Sequence, residues 1–414
     1  STPGTAVART AVLPVRAGPS LTKKPTRAVD PAIVGVNMDV GEYPVQDSVE
    51  GSIPLSPRTC PGFGKLLKGC LGTESTPTQI AGIIRVRYTG AQASCKISSD
   101  TSADTMTSRV GALGSEAVDD NFGTSGVISL VDVAFATLTE LVAAIQAYAD
   151  YDAELVAGLG SVVSGNIVTL AQSQCKEKWT YFFFTGTTGA YWRRYTPDLT
   201  DTERPTYSVQ AEGYQDSGLL YDGVTVETMK ISAALSGMAE ADVDLLGMKE
   251  TIGQSATGLS LEDRDPFIFY KGSLTIGAKE FTYTSNVSIS MGNTPNKEGY
   301  GQGSMARLYQ QKGMFALTGD LQVRLDADSY AKRALIFGST PAALSFYFKG
   351  KDIGSSVPEM LVIHVPVALL SNFEFVDRNG VWDAKMTWKG VNPKGTKWDE
   401  ALQIDFVSQD SGAF

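Results

Sequence analysis

A single histidine, His364, stands among 414 residues. A Ser-His-Asp triad or a Cys-His pair would have to be built around it, because a Ser or Cys nucleophile needs an adjacent base. It lies in Leu361-Val-Ile-His-Val-Pro366, opposite in parity to Ile363 and Val365. That alternation places it mid-strand and predicts a partly buried structural histidine rather than a catalytic base. Cys60, Cys70, Cys95 and Cys175 contain no Cys-x-x-Cys pair. With one histidine available, this argues against a His/Cys zinc site. The first 30 residues carry basic side chains but no apolar h-region, so they do not read as a secretory signal. The expected compartment of synthesis is then reducing, and the four cysteines are expected to be buried thiols.

Other chemistry is tested in the same way. No phosphate-binding Gly-x-x-x-x-Gly-Lys-Ser/Thr loop occurs, and Gly301-Gln-Gly303 is too short for a dinucleotide fingerprint. Asp263-Arg-Asp265 and Asp326-Ala-Asp328 lack the full calcium loop; Asp328 is expected to cap a helix. Asp242 and Asp244 alternate with Val243 and Leu245, the pattern of a strand with one solvated face. No pair of carboxylates is singled out for glycoside hydrolysis. The run Tyr181 to Phe184 is open to two readings, a binding platform or a buried strand. No catalytic, cofactor-binding or metal-binding residue is assigned.

Composition sets further bounds. The formal net charge is −10, with 43% hydrophobic and 19% charged residues. Most of the chain is expected to fold. A phosphate binder needs clustered Lys and Arg, which this balance opposes. No run of about 18 apolar residues is present to form a transmembrane helix.

The elements that would position these residues are mostly strands. Residues 1–35 read as an extended arm or as disorder. Residues 48–55 read as a short strand. Pro61 opens a helix, where its missing N–H costs nothing; Phe63, Leu66, Leu67, Cys70 and Leu71 form one helical face, and Gly72 fits a cap with positive φ. Residues 79–200 have a different texture: strands at 83–88, 127–131, 165–170 and 179–184, with Thr137-Leu-Thr-Glu140 as a capping box. The helix behind it presents Leu138, Leu141, Val142, Ile145 and Tyr148. This is a small α+β unit, inserted into a larger fold. From 201 onward strands dominate. Val224 and Val226, then Met229 and Ile231, change parity, which predicts a bulge near Glu227 or Thr228. Phe281, Tyr283, Val287 and Ile289 are expected on one face of a long strand, as are Leu317, Leu321, Val323 and Leu325. A helix is expected from about Asp328 to Gly338, and Asn379-Gly380 favours a tight hairpin. Residues 292–313 read as a long loop. Strand, helix, Gly and Ser-Thr-Pro occur in that order at Gly72 to Pro77 and again at Gly338 to Pro341, a weak echo for which chance is favoured over duplication.

Three stretches resemble the tail tube family of long-tailed bacteriophages. They are Ser48-Val-Glu-Gly-Ser-Ile-Pro-Leu55 with the Gly-capped helix 61–72; Asp222-Gly-Val-Thr-Val-Glu-Thr-Met-Lys-Ile-Ser232 with the strands either side of it, 205–212 and 241–247; and the closing series from Leu361 to Asp405, with Trp382 to Trp388 and Leu402 to Phe406. The likeness covers most of 45–78 and 201–414, not 79–200. It implies a mainly β, tail-tube-type β-sandwich or barrel with short helices, plus an inserted small α+β domain. The implied division is an N-terminal arm (1–35), a tail tube domain in two parts (36–78 and 201–414) and an insert (79–200) on the outer surface. The implied function is a structural virion protein that polymerises as stacked, hexameric rings to form the conduit for DNA, with no enzyme activity and no cofactor. Implied partners are other copies of itself and the tape measure, terminator and distal tail proteins. DNA would pass through the lumen without specific binding, past a mainly acidic wall, after assembly in the host cytoplasm. The 292–313 loop and the arm are candidates to bind the next ring. Other readings are another tail ring component, such as a distal tail or terminator protein, a carbohydrate-binding surface protein, and a hydrolase dependent on His364.

Overall fold

The computed structural model describes residues 10–18, 20–29, 42–198, 205–211, 218–254, 264–277, 279–293, 304–305, 313–392 and 401–414. Strand β1 (Thr22–Val29) pairs antiparallel with β2 (Glu42–Leu55). Helix α1 (Pro61–Leu71) starts at its proline and buries Phe63, Leu66, Leu67, Cys70 and Leu71. It stops at Gly72, whose φ of +103° lets its N–H turn back to the Lys68 carbonyl.

Next come β3 (Gly72–Glu74), β4 (Thr78–Tyr88), β5 (Ser94–Asp100), β6 (Thr105–Gly111), β7 (Ala117–Val118) and β8 (Val127–Ser129). Helix α2 (Leu138–Gln146) follows. Its capping box is formed, with Thr137 accepting from the Glu140 N–H and Glu140 accepting from the Thr137 N–H at 3.0 Å. Then come β9 (Tyr151–Gly158), β10 (Leu170–Gln174), β11 (Thr180–Thr185) and β12 (Ala190–Pro197). The remainder runs β13 (Tyr207–Ala211), β14 (Gly218–Ala234), β15 (Glu240–Gly247), β16 (Lys249–Gln254), β17 (Gly272–Ile276), β18 (Lys279–Phe281), β19 (Thr284–Asn293) and β20 (Phe315–Arg324). It closes with α3 (Ala327–Phe337), β21 (Ala342–Gly354), β22 (Val357–Arg378), β23 (Val381–Gly390) and β24 (Gln403–Ser408). The protein is mainly β, in agreement with the fold class read from sequence.

The strands stack in layers. In the first, hydrogen-bonded neighbours run β1–β2–β15–β14–β19–β20–β23–β22, all antiparallel. Strand β22 belongs to two layers. Its residues 368–378 pair with β23, while residues 357–368 pair with β21, and residues 360–364 also with β24. Continuing outward, β21 pairs with β17 and β24 with β12. The apolar faces of these two layers meet in the largest core, where Phe346 of β21 lies 6.0 Å from Trp388 of β23. Strand β12 leads into β4, which carries β9 and β11, and this third layer folds back over the outer face of β21, β22 and β24. Tyr181, Phe183, Trp192, Val362 and Val407 fill the gap. A fourth layer of five strands, β5 to β8 with β10, and α2 encloses a further core on the far side of β4 and β11.

Several sequence expectations match in detail. The β14–β15 register shifts between Val226 and Thr228, where the parity change was expected. Asn379 and Gly380 have φ of 54° and 83° between Arg378 and Val381, a two-residue turn with both φ positive. Others are corrected. No continuous strand covers 165–170: residues 164–166 make a 3-10 turn held by the Ser164 hydroxyl on the Phe135 and Leu130 carbonyls, Ile167 makes a single bridge to Phe184, and strand β10 begins only at Leu170. The strand at Val127 ends at Ser129, leaving Val131 exposed. Phe281 and Val287 are not on one strand: β18 ends at Phe281, and Tyr283 is exposed in the turn before β19. Asp326, not Asp328, caps α3, because Ser329 at the third helical position completes a capping box with it. Asp328 instead pairs with Lys279 at 2.7 Å. Most of the 292–313 loop, and Asp263, lie outside the described residues, whereas the described part of the 1–35 arm lies extended along β2, with Arg16 and Ser20 bonding the Pro54 and Ser52 carbonyls before β1 begins at Thr22.

Candidate functional site

Strand pairing brings His364 to residues that sequence spacing could not connect to it. Ser345 on β21 is its cross-strand neighbour, and its Oγ lies 3.1 Å from His364 Nδ1. On the other side, β24 places Asp405 with one carboxylate oxygen 3.4 Å from His364 Nε2. The three types form a Ser-His-Asp set, the constellation of hydrolytic triads. Its geometry departs from that use. Ser345, His364 and Asp405 are 5%, 2% and 0% exposed, closed off by the third layer, with the Tyr181 ring 5.4 Å from the imidazole. The ring also presents Nδ1 to the serine and Nε2 to the carboxylate, the reverse of the hydrolytic order.

The carboxylate's main partner is a cation. Arg194 on β12, opposite Asp405 in register, binds it through two nitrogens at 2.7 and 2.9 Å, and Trp192 Nε1 donates at 3.1 Å. Burial alone would raise the Asp405 pKa, but the Arg194 guanidinium holds it below the usual carboxylate range. Desolvation pushes His364 down to about 4, against the opposing pull of Asp405 and with Lys178 adding to the depression. At neutral pH the imidazole is uncharged and the ion pair is Arg194–Asp405. The arrangement is a polar stripe across four strands, β21–β22–β24–β12, that joins the outer layers to the sandwich. The sequence reading of His364 as structural agrees with this, although it is fully rather than partly buried. The reading missed Ser345, Asp405 and Arg194. The available signal was a charge inside each of two apolar strands, Ile404-Asp-Phe406 and Trp192-Arg-Arg-Tyr195.

The four cysteines are all buried and unbridged, as expected for thiols. The aromatic run 181–184 is buried on both faces, with Tyr181 and Phe183 in one core and Phe182 and Phe184 in the next, so the platform reading is set aside.

The opposite side of the molecule is open. On β14, β15, β19, β20 and β23 apolar side chains point to the core, while the alternate residues form a polar face. Acidic groups gather on β15 (Glu240, Asp242, Asp244), where Arg16 reaches Glu240 at 2.6 Å. Basic groups gather on β20 and β23 (Arg324, Lys385, Lys389), with Lys230 between. Asp242 and Asp244 are exposed, as their alternation implied. At the two ends of this sheet, among the described residues, the outer edge of β1 and that of β22 from 369 to 378 have no strand partner. Unpaired edges are templates for a further strand. No curated protein matches the chain. A family model described as phage tail tube protein matches residues 1–360.

Proposed function

This chain belongs to the phage tail tube protein family, whose members are structural components of the virion tail; from that premise we propose that its copies join edge to edge into six-membered rings that stack as the tube. The carrying observation is the first-layer sheet, polar on its uncovered face and, among the described residues, unpaired at both ends. A head-to-tail contact between dissimilar edges closes into a ring when the rotation allows, and it would satisfy the edge N–H and C=O groups that are otherwise left to water. The polar face then lines the lumen. There the exposed carboxylates of Asp242 and Asp244 make the β15 band repel the DNA backbone, while Lys230, Arg324, Lys385 and Lys389 make the bands beside it attractive, so that the wall alternates in charge rather than gripping the phosphates all round. The layer order supports an outward position for the insert, because its core and the polar face lie on opposite sides of the sandwich. The tape measure, terminator and distal tail proteins are the further partners, assembly takes place in the host cytoplasm, and the tube conducts DNA during ejection.

Electron microscopy of the concentrated protein and of native tails tests this. Hollow six-fold tubes with β15 on the inner wall and the 79–200 segment outside are expected. A tube whose inner wall is built from the insert, or copies that meet without using the β1 and β22 edges, would overturn the proposal.

A further inference from the structure

Two of the four thiols face each other. Cys95 is the second residue of β5 and Cys175 directly follows β10; the register Gln174↔Lys96 makes the two cysteines the next cross-strand pair, and the Cys175 N–H donates to the Cys95 carbonyl at 2.8 Å. Their sulfurs are 3.0 Å apart, with Cys175 Sγ directed at Cys95 Sγ. Directly opposed residues of an antiparallel pair have Cα atoms about 4.5–5.5 Å apart, inside the span that a disulfide bridges without backbone movement. Cys95 is also within 3.4 Å of Ser108 Oγ and 3.9 Å of Tyr151 Oη, and the Tyr151 hydroxyl bonds Ser108 at 2.6 Å and Asp119.

We propose that Cys95 and Cys175 are an oxidation site that closes to an intramolecular disulfide when the protein meets a peroxide. The Cys95 sulfur attacks one peroxide oxygen; the O–O bond breaks, the other oxygen leaves as hydroxide, and Cys95 becomes a sulfenic acid. The Cys175 sulfur then attacks the Cys95 sulfur, forming S–S and expelling the sulfenic oxygen as water. Overall two thiols lose two electrons and two protons, and one peroxide becomes two waters. The order of the steps follows from the surroundings. The hydrogen bond from Cys175, with that from Ser108, lowers the Cys95 pKa despite burial, whereas burial raises that of Cys175. Cys95 is thus the attacking sulfur and Cys175 the resolving one. The closed loop spans β5 to β10 and ties α2 and the whole fourth layer into one ring, which removes freedom from the unfolded chain.

The test uses the full chain, with hydrogen peroxide as the probe. After treatment, alkylation and non-reducing digestion, mass spectrometry should recover one cross-linked peptide pair, Cys95 to Cys175, lighter by two hydrogens, with Cys60 and Cys70 alkylated. Thermal unfolding should shift upward and return on reduction. In Cys175→Ser the cross-link should vanish, and a sulfenic acid at Cys95 should be trapped by a dione reagent. Four alkylated thiols after peroxide in the wild type, a link using Cys60 or Cys70, or over-oxidation of Cys95 with Cys175 still alkylated would each overturn the proposal.

Discussion

Replacing Arg194 by Met removes the cation from a fully buried carboxylate while keeping much of the side-chain volume. Asp405 is 0% exposed and receives two bonds from Arg194, leaving Trp192 as its remaining close donor and His364 at 3.4 Å. Breaking a buried ion pair from one side costs about 3–5 kcal/mol, because the orphaned charge stays desolvated. The cost should depend on pH through His364. In the wild type burial holds its folded pKa at about 4, below the ordinary histidine value of 6.5. A depressed histidine contributes stability at high pH and loses it as pH falls from 6.5 to about 4, by about 3 kcal/mol in all at 1.36 kcal/mol per unit. Without Arg194, one repulsive charge is gone and Asp405 needs a cation, so the folded His364 pKa rises. A raised histidine contributes stability below the unfolded pKa, which is lost as pH rises through the folded one. The deficit of Arg194→Met should therefore be largest at pH 8 and shrink toward pH 5. Urea denaturation followed by tryptophan fluorescence at these two pH values measures it. A deficit under about 1 kcal/mol, or one unchanged between pH 8 and pH 5, would refute the assignment of Arg194 as the partner of a buried charge. Arg194→Met combined with Asp405→Asn should recover part of the loss, since no charge is then left unpaired.

Other outcomes follow from single positions. Gly380→Ala meets open space but imposes φ of +83° on a residue with a Cβ, so it should cost about 1 kcal/mol by denaturation without changing the fold. Gly319→Val is expected to be far worse, at about 3 kcal/mol or more, because its Cβ would meet the Ser288 carbonyl and sit 2.7 Å from the Trp388 indole; a stable Gly319→Val protein with native tryptophan fluorescence would contradict this packing. Asp242→Lys with Asp244→Lys should leave monomer stability within about 0.5 kcal/mol, both being exposed. Tubes of that variant should retain DNA in a salt-dependent way in a filter-binding assay, and unaltered DNA release would count against a luminal position.

The sequence made visible whatever depends on neighbours along the chain. Pro61 and Gly72 bound α1, Thr137 and Glu140 start α2, the parity change marks the bulge at Glu227, and Asn379-Gly380 makes the turn; each is set by local backbone chemistry. Positions 164–170 were misread because a side-chain bond from Ser164 to carbonyls more than 25 residues back overrides strand propensity. The polar stripe was illegible for the same reason. His364 gave its own parity, but its partners come from β21, β24 and β12, whose adjacency is decided by long-range pairing. The cysteine pair was equally hidden, since Cys95 and Cys175 meet across 80 residues.

A strand buried on both faces has a register problem, and β12 shows how charge resolves it. Apolar alternation fixes register only where one face is wet, because a slip by one residue then exposes the core set. On β12 both faces are covered: Trp192 and Arg194 point to the layer beneath β4 and β11, while Arg193 and Tyr195 point toward α1 and the sandwich core. An apolar residue would be tolerated on either side, so a slip would go largely unpunished. Two consecutive arginines change that. Arg194 finds Asp405, and Arg193, 0% exposed, finds Glu74 at 3.6 Å, the carbonyls of Asp410 and Gly412, and the ring of Phe414 at 3.9 Å. A shift of one position would put Trp192 or Tyr195 into one of the two guanidinium sites and force the displaced guanidinium into the Tyr195 or Trp192 site, leaving a buried charge misplaced at several kcal/mol. The buried ion pairs are thus better understood as specifying one pairing of β12 with β3 and β24 than as a source of net stability. This is the joint at which β12 bridges β3 and β24, where Tyr195 pairs with Glu74 on one side and Ile404 on the other.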